Sequence, residues 1–305
     1  MKRERISIRA RIMRRLSRRY FANIDAQMAD PVHLRHRLER LTRRFPKPKG
    51  VAISQATIAD VPSMSLTPRN ASDTGLLLYL HGGAYVMGSP VTHRNLVSNI
   101  AARTGLRALL PDYRLAPEHR FPAAVEDATG VYKALLADGH RPQNIIVAGD
   151  SAGGGLTMGM LLSLRDEGVP LPAGAFLLSP WLDLTASGES METRRHLDPW
   201  FCKEDVAFVA HYYSDADQLT HPQVSPVFGD MRGMPPICIQ VGDHEVLLSD
   251  STRLADNVRA AGGEVDTEVF DQMWHVFQVF HPVMPESRAA ISTLAAKMRK
   301  VLSEA

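Results

Sequence analysis

The sequence predicts a single α/β domain in which helices cover both faces of a mostly parallel sheet. From Leu76 onward, short apolar runs alternate with helix-length amphipathic segments, which is the pattern of such a sheet. No internal repeat interrupts this alternation. The chain has 305 residues, of which 45% are hydrophobic, so it can bury the core of one large domain that carries an insertion.

The alternation assigns the elements in order. Apolar runs predict strands over 76–80, 107–110, 144–148, 175–178, 237–241 and 265–270. Helical spacing predicts helices over 90–104, over 123–138 and from residue 153 to about 167, each followed by a glycine that suits a helix end. Residues 1–45 and 185–225 do not fit the repeating unit, although 204–213 has the spacing of a helix.

The N-terminal segment is strongly basic. Residues 1–49 hold 16 Lys/Arg against 4 Asp/Glu, whereas the remainder holds 19 against 29, so the net charge of +2 hides an asymmetry. A basic amphipathic helix can bind an anionic membrane, bind nucleic acid or pack on the acidic remainder of its own chain. We favour packing, because no nucleic-acid motif accompanies the arginines. The apolar positions between the arginines are Ile6, Ile8, Ile12, Met13, Leu16 and Tyr20.

Several classes of protein find no support in the sequence. The first twenty residues lack the apolar run of a signal peptide, and no later stretch is long and apolar enough to span a membrane. Cys202 and Cys238 have neither disulfide nor metal-binding spacing, and no phosphate-binding glycine loop is present. We therefore expect a soluble cytoplasmic protein with no cofactor and no metal, which neither binds nucleic acid nor inserts stably into a membrane.

A serine in a tight turn is the first candidate for chemistry. The run Gly-Asp-Ser-Ala-Gly at 149–153 follows a predicted buried strand and precedes an apolar helix. The glycines on either side of Ser151 allow a sharp strand-to-helix turn that exposes the serine hydroxyl above the sheet. A nucleophilic serine also needs a base, a group that orients the base, and donors for an oxyanion. A glycine-rich turn with an incidental serine is the alternative, and the strand and helix around it disfavour that reading.

Backbone N–H groups from two loops are the candidate oxyanion donors. His81, Gly82 and Gly83 follow an earlier predicted strand, and the glycines let N–H groups approach a substrate oxygen. Ala152 begins a helix, where free N–H groups and the helix dipole favour negative charge. We expect Gly82, Gly83 and Ala152 to form an oxyanion hole; alone, the glycine pair would equally suit a plain turn.

Among 12 histidines, His275 has the position expected of the base. It follows the last predicted strand and comes after the serine and the candidate acids in the chain. His281 is the alternative, but it lies beyond a segment, 276–280, that resembles the start of a helix. A loop position directly after a strand presents the ring better.

Spacing alone does not identify the acidic residue that would orient His275. Asp243, Glu245 and Asp250 all follow the predicted strand 237–241 within ten residues. Asp250 is expected inside the next helix, and Asp243 lies close to the strand end. Glu245 takes the intermediate position, and a glutamate can orient and stabilise an imidazolium as an aspartate does.

These motifs resemble those of the hormone-sensitive-lipase family of bacterial esterases. The similarity covers about 76–277 and rests on four ordered motifs: His-Gly-Gly-Ala-Tyr at 81–85, Asp-Tyr-Arg-Leu-Ala-Pro-Glu at 112–118, Gly-Asp-Ser-Ala-Gly-Gly at 149–154 and Gly-x-x-Glu-x-Leu at 242–247. The resemblance implies an α/β-hydrolase fold, a mostly parallel central sheet flanked by helices with a helical cap, and no cofactor. It places the acid at Glu245. The loop 81–85, which follows the first predicted strand, is here called the oxyanion loop. The resemblance also implies that four residues brace it: His81, Tyr113, Arg114 and Glu118.

Two positions depart from the family pattern. The family often has three glycines after the histidine, and Ala84 replaces the third. The added methyl is tolerated if Gly82 and Gly83 are the donors. Glu245 stands where aspartate is commoner, so a longer side chain places its loop slightly farther back.

The resemblance implies a carboxylesterase that hydrolyses small-molecule esters of short to medium acyl chain. Ser151, His275 and Glu245 would act through an acyl-enzyme intermediate. An amidase or lactonase with the same residues is an alternative. A ligand-binding receptor is another, since the gibberellin receptors of plants resemble the family but have lost the histidine that is present here. The chain could also form a homodimer, which the sequence alone does not decide.

The same resemblance suggests a division of the chain. Residues 46–184 and 226–305 are expected to form the catalytic domain. Residues 1–45 supply N-terminal cap helices and residues 185–225 a cap insertion, because insertions in such folds lie over the carboxyl ends of the strands.

Overall fold

The computed structural model describes residues 6–21, 30–43, 48–72 and 75–304. Within these residues eight strands form one sheet. The strands are β1 (Val51–Ile58), β2 (Val61–Pro68), β3 (Leu76–Leu80), β4 (Arg107–Pro111), β5 (Ile145–Asp150), β6 (Gly174–Leu178), β7 (Ile237–Gly242) and β8 (Val265–Phe270).

The helices of the described chain flank this sheet. They are α1 (Ile8–Phe21), α2 (Pro31–Arg43), α3 (Pro90–Thr104), α4 (Ala123–Ala137), α5 (Ala152–Asp166), α6 (Ser190–Thr193), α7 (Lys203–Tyr213), α8 (Leu248–Ala260) and α9 (Pro285–Glu304). Short 3-10 turns occur at Pro142–Asn144, Ala216–Gln218, Pro226–Phe228 and Phe277–Phe280.

The sheet order is β1-β2-β4-β3-β5-β6-β7-β8. β2 pairs antiparallel with both β1 and β4. All pairs from β4 to β8 are parallel. The carboxyl ends of the parallel strands therefore lie at one edge of the sheet, and the loops that follow them meet there.

The predicted fold class is confirmed, and the six predicted strands are present with ends that differ by at most two residues. The hairpin of β1 and β2 was not predicted. β1 lies at the sheet edge, and no residue along it is fully buried, so it lacks the apolar run by which the central strands are recognised. The segment after 275, which resembles the start of a helix, forms only the 3-10 turn at Phe277–Phe280.

The core is divided by the sheet into two layers. Leu78 and Leu177 face a cluster that includes α4 and α5, whereas Tyr79 and Phe176 face a cluster that includes α3 and α9. The alternation follows from the period of two along a strand. Truncation of a fully buried leucine such as Leu78 to alanine would cost about 2–5 kcal/mol.

A third and smaller cluster, here the α1 cluster, lies between α1 and the loop that follows β8. Ser7 fixes the start of α1, because its backbone N–H donates to Glu286 Oε1 over 2.7 Å. Partly buried Ile6 and Met13 pack against the cluster. Its buried members are Ala10, Met273, Trp274, Phe277, Met284 and Ala290.

Candidate active site

Ser151 lies in a sharp turn between β5 and α5. Its backbone φ is 54°, a left-handed conformation that is unusual for a residue with a side chain. Its carbonyl accepts the N–H of Trp181 over 2.9 Å, which helps to hold the turn. A Cβ at Gly153 would come within 2.1 Å of the Leu80 carbonyl oxygen. Only glycine therefore lets α5 approach β3 closely enough to form this turn.

His275 and Glu245 join Ser151 in a chain of hydrogen bonds. His275 Nε2 lies 2.9 Å from Ser151 Oγ, and His275 Nδ1 lies 3.1 Å from Glu245 Oε2. Both His275 and Glu245 are buried. An ionised carboxylate only accepts hydrogen bonds, so the proton belongs on Nδ1, and Nε2 is left to accept the serine proton.

Ser179 was not predicted, and it holds the far end of this chain. Its hydroxyl donates to Glu245 Oε1 over 2.7 Å and accepts the N–H of Val276 over 3.0 Å. The N–H of Gly242 donates to the same Oε1 over 2.6 Å. Ser179 directly follows β6 and has a φ of 46°. Its place after a parallel strand, at the same edge as the other loops, is the signal that could have identified it.

The alternative acids and the alternative base lie elsewhere. The carboxylate of Asp243 accepts the N–H of Gln272. Asp250 Oδ2 accepts the N–H groups of Leu182 and Asp183 over 2.8 and 2.9 Å, and burial raises the pKa of Asp250 to about 8. His281 ends the 3-10 turn and in the described chain contacts no carboxylate.

The oxyanion candidates differ in what their N–H groups contact. The N–H of Gly82 donates to Asp150 Oδ1 over 3.1 Å, so it already has an acceptor. The N–H groups of Gly83, Ala84 and Ala152 have no acceptor within the described part of the chain. Ala84 has a φ of 56°, so the alanine adopts a left-handed conformation where the family often has glycine.

Asp150 holds the oxyanion loop from behind. Its Oδ1 also accepts the Tyr79 hydroxyl over 2.8 Å, and its Oδ2 lies 3.2 Å from His93 Nε2. Burial opposes ionisation of both groups, but their mutual attraction outweighs it: the pKa of Asp150 is lowered and the pKa of His93 is raised. A buried ion pair therefore supports the loop.

The predicted scaffold residues have different partners. Tyr113 contacts the oxyanion loop directly, since its hydroxyl donates to the His81 carbonyl over 2.6 Å and its ring stacks on the His81 ring. Burial lowers the pKa of His81 to about 3, so this imidazole is neutral. Arg114 instead pairs with Asp127 and Glu126 on α4. Glu118 pairs with Arg35 on α2.

Ser151 lies between two apolar cavities. The larger has a volume of about 490 Å³ and is lined by residues of α1, α2, the oxyanion loop and the His275 loop. The smaller has a volume of about 40 Å³ and lies towards α7. Ala84, Ser151 and Phe201 line both. The other residues of the smaller cavity are Trp181, Asp205, Val206, Val209 and Leu247.

Asp198 connects the segment 185–225 to the acid loop, and it was not assigned a role from the sequence. Its carboxylate accepts the N–H of Trp200 over 2.8 Å and the N–H of Val246 over 2.9 Å. Burial raises the pKa of Asp198 to about 6. The rings of Trp200 and Phe201, which follow it, contact the His275 ring edge-on.

Among the residues that the structure describes, no three histidine, cysteine, aspartate or glutamate side chains are grouped so that they could hold a metal ion. No helix in those residues is long and apolar enough to cross a membrane.

Comparisons with known proteins identify the family of this chain. A family model described as α/β hydrolase fold matches residues 77–279. An acetyl-hydrolase of Streptomyces hygroscopicus is 44% identical over 232 residues, which cover 76% of this chain and 78% of that protein. An esterase of Acinetobacter venetianus is 38% identical over 87% of this chain and 88% of its own length.

Solved structures give the same result at the level of the backbone. The crystal structure of an esterase from the bacterial hormone-sensitive lipase family is 38% identical and superposes with a TM-score of 0.91, covering 98% of this chain and 100% of that chain. The resemblance inferred from the sequence motifs is thereby confirmed. This chain belongs to the α/β-hydrolase fold family and, within it, to the esterases of the bacterial hormone-sensitive-lipase family.

Proposed function

We propose that this chain hydrolyses carboxylic esters of short to medium acyl chain with Ser151 as nucleophile, His275 as base and Glu245 as the acid that orients the base. Family membership makes the chain a serine carboxylic ester hydrolase. The assignment of roles is carried by one observation: His275 has Ser151 Oγ 2.9 Å from one ring nitrogen and Glu245 Oε2 3.1 Å from the other.

The proposed reaction begins when Ser151 Oγ attacks the ester carbonyl and its proton passes to His275 Nε2. Glu245 stabilises the imidazolium that forms. The oxyanion accepts hydrogen bonds from the N–H groups of Gly83, Ala84 and Ala152. Ala84 replaces Gly82 as a donor, because the Gly82 N–H already donates to Asp150. The imidazolium then protonates the leaving alcohol, and an acyl-enzyme remains. Water deprotonated by His275 releases the acid and restores Ser151.

The two cavities support a limit on substrate shape. An ester bound at Ser151 has one half on each side of the carbonyl carbon, and the cavities offer about 490 and 40 Å³. We therefore expect substrates with one small half. Two series separate the halves: p-nitrophenyl esters from acetate to laurate vary the acyl chain, and acetates of different alcohols vary the other half.

We also propose that residues 1–45 and 185–225 cap the site over the catalytic domain of 46–184 and 226–305. Met13, Leu34 and Leu38 from the first segment line the larger cavity, as do Trp200 and Phe201 from the second. Deletion of residues 1–45 should change the acyl-chain preference. An unchanged rate and preference would contradict the cap.

Replacement of Ser151 by alanine tests the assignment. We expect the turnover of p-nitrophenyl esters to fall by about 10⁴-fold or more, because the covalent step is lost while the fold is kept. A fluorophosphonate should label Ser151 in the unmodified protein and leave the variant unlabelled. A variant with near-normal activity would refute the proposal.

An amidase or lactonase with the same residues is the alternative reaction. A matched ester and amide of one acid, assayed beside a lactone, distinguish these activities by their kcat/KM. A receptor would bind without turnover in all three assays. Cytoplasmic location and homodimer formation stay predictions.

A further inference from the structure

The outward face of α1 carries a stripe of exposed apolar side chains. They recur every fourth residue, so they lie side by side along one face of the helix. Their exposed fractions are unusually high for large apolar residues: Ile8 66%, Ile12 50%, Leu16 52% and Tyr20 40%. We call these four residues the outer stripe.

The opposite face of α1 already has its packing partners. Ala10 and Ser17 are buried, and Met13 packs against the α1 cluster. The N–H of Ser7 donates to Glu286 at the start of the helix, and Arg18 Nη2 donates to the carbonyl of His196 over 3.0 Å near its end. The helix is therefore fixed to the protein by one face, while Ile8, Ile12 and Leu16 are exposed on the other. Tyr20, at the end of the stripe, is partly exposed and contacts Phe21 and Arg37.

The charge around the outer stripe is of one sign. α1 contains six arginines and no acidic residue. Arg11, Arg15 and Arg19 are exposed and recur at the same four-residue interval beside the stripe. Positive charge and exposed apolar surface thus share one face of the helix.

The apolar surface continues beyond the helix on neighbouring loops. Arg9 Nη1 donates to the carbonyl of Val283 over 3.4 Å, and the Val283 side chain is exposed. Arg18 Nη2 lies 3.5 Å from the carbonyl of Leu197, whose side chain is also exposed. The stripe and these two residues form one patch on the side of the molecule that carries α1.

We propose that this patch docks on the surface of an anionic lipid bilayer, with α1 lying in the plane of the interface. Aliphatic side chains enter the boundary of headgroups and acyl chains, while the arginines contact anionic headgroups. A second copy of the chain fits less well, because pairing two such helices would bring like charges together. Nucleic acid also fits less well, because Ile8, Ile12 and Leu16 offer a phosphate backbone no hydrogen bond and offer bases no ring to stack on.

Docking in this orientation has a consequence for access. Met13, Tyr20 and Val283 belong to the lining of the larger cavity beside Ser151. The α1 side of that cavity would then face the bilayer, and esters dissolved in it would have a short path to the serine. This consequence rests on the proposed esterase function, whereas the docking itself does not.

Vesicle co-sedimentation of the full chain tests the docking without measuring turnover. The probes are vesicles of phosphatidylcholine alone and vesicles of equal parts phosphatidylcholine and phosphatidylglycerol. One variant, the charge variant, reverses three charges (Arg11→Glu, Arg15→Glu, Arg19→Glu), and another, the stripe variant, replaces the three aliphatic residues of the stripe (Ile8→Ser, Ile12→Ser, Leu16→Ser). A matched control reverses three exposed charges outside α1 and α2 (Arg141→Glu, Arg259→Glu, Lys300→Glu). None of the altered positions lines either cavity.

We expect binding to the anionic vesicles only, weakening with added salt. Each arginine near the surface contributes about fivefold to partitioning, and each glutamate that replaces one adds repulsion, so the charge variant should lose at least about a hundredfold. The stripe variant should also lose its binding, and the control should lose much less than the charge variant. All variants should keep the rate on p-nitrophenyl acetate, which shows that the fold and the site are intact. Absence of turnover by the unmodified chain would contradict the esterase role and leave the docking result unaffected.

Three outcomes would overturn the proposal. The first is no binding to either vesicle. The second is a dimer of the unmodified chain that the stripe variant converts to a monomer, which would assign the patch to a second copy. The third is retention of RNA or DNA that the charge variant abolishes while vesicle binding persists.

Discussion

Two buried carboxylates flank Ser151 with nearly the same set of partners. Glu245 accepts a backbone N–H from Gly242 and a hydroxyl from Ser179, and it contacts His275 over 3.1 Å. On the other side, Asp150 also accepts a backbone N–H and a hydroxyl and contacts a histidine over 3.2 Å. The three partners of Asp150 are Gly82, Tyr79 and His93.

The difference lies in where the second ring nitrogen of each histidine points. His275 Nε2 lies 2.9 Å from Ser151 Oγ. His93 Nδ1 lies 2.7 Å from Thr92 Oγ1 and 3.3 Å from the Ser89 carbonyl, at the start of α3. The same chemical unit thus contacts the proposed nucleophile on one side and holds a loop on the other. Residue type alone does not separate the two roles; the direction of one nitrogen does.

Among the changes that test this comparison, the largest effect is expected for the carboxylate on the His275 side. Glu245→Gln should lower kcat/KM by about 10³–10⁴-fold, because a neutral amide neither stabilises the imidazolium nor selects the tautomer with a proton on Nδ1. Initial rates on p-nitrophenyl butyrate measure this. Asp250→Asn is the matched control: with a pKa of about 8, Asp250 is mostly neutral at pH 7, so the amide replaces a neutral group. A similar loss in both variants would argue against a special role for Glu245.

The corresponding change on the other side should cost less. Asp150→Asn should lower kcat by about tenfold to a hundredfold with little change in KM, because the amide oxygen can still accept the Gly82 N–H but the ion pair with His93 is lost. Steady-state kinetics on the same ester separate the two constants. If Asp150→Asn costs as much as Glu245→Gln, the distinction between serving the reaction and holding a loop fails.

Ser179 lies one contact farther from the reacting atoms. Ser179→Ala should lower kcat by about tenfold, because both the Glu245 carboxylate and the Val276 N–H lose a partner. Ser179→Gly is the comparison, since glycine relieves the φ of 46° but also removes the hydroxyl. Equal losses identify the hydroxyl as the cause. A normal rate for the glycine variant would assign the effect to the backbone.

The smallest effect is on stability and its dependence on pH. The raised pKa of His93 means that its pairing with Asp150 stabilises the fold fully below the ordinary value of 6.5 and is lost as pH rises through the raised pKa. The lowered pKa of Asp150 sets the acid limit, below which the contribution is lost again. His93→Gln should therefore cost about 1–3 kcal/mol between these limits and less at high pH. Urea unfolding at several pH values measures the difference.

The sequence predicts the fold well where the hydrophobic periodicity and the turn residues at the ends of the elements agree. β3, β5, β6 and β7 are buried on both faces and appear as apolar runs, so they could be identified. β1 and β2 could not, because an edge hairpin is held by pairing with its neighbours more than by its own apolar content. Tertiary pairing outweighs local pattern there.

The site follows the same division. Ser151 and His275 could be placed because Ser151 directly follows β5 and His275 lies in the loop after β8, and both strands are recognisable from the sequence. Spacing alone does not identify the acid among Asp243, Glu245 and Asp250, because the choice depends on the direction of each side chain after the end of β7. The donor role expected of Gly82 depends on which way one N–H points, and the Asp150 carboxylate that it contacts comes from another strand. Such contacts between distant segments leave no local pattern.

The α1 cluster gives the molecule two levels of local stability. The sheet cores are held between helices on both faces, whereas α1 is held by this small cluster, by the stacking of Phe21 on Trp200 and by a few hydrogen bonds such as the one from Ser7 to Glu286. Amide hydrogens of α1 should therefore exchange with solvent through local opening, well before those of β5. Trp274 belongs to the cluster and directly precedes His275, so opening of α1 also loosens the loop that carries the imidazole. We therefore expect His275, the proposed base, to be aligned with Ser151 only while α1 is packed on this cluster.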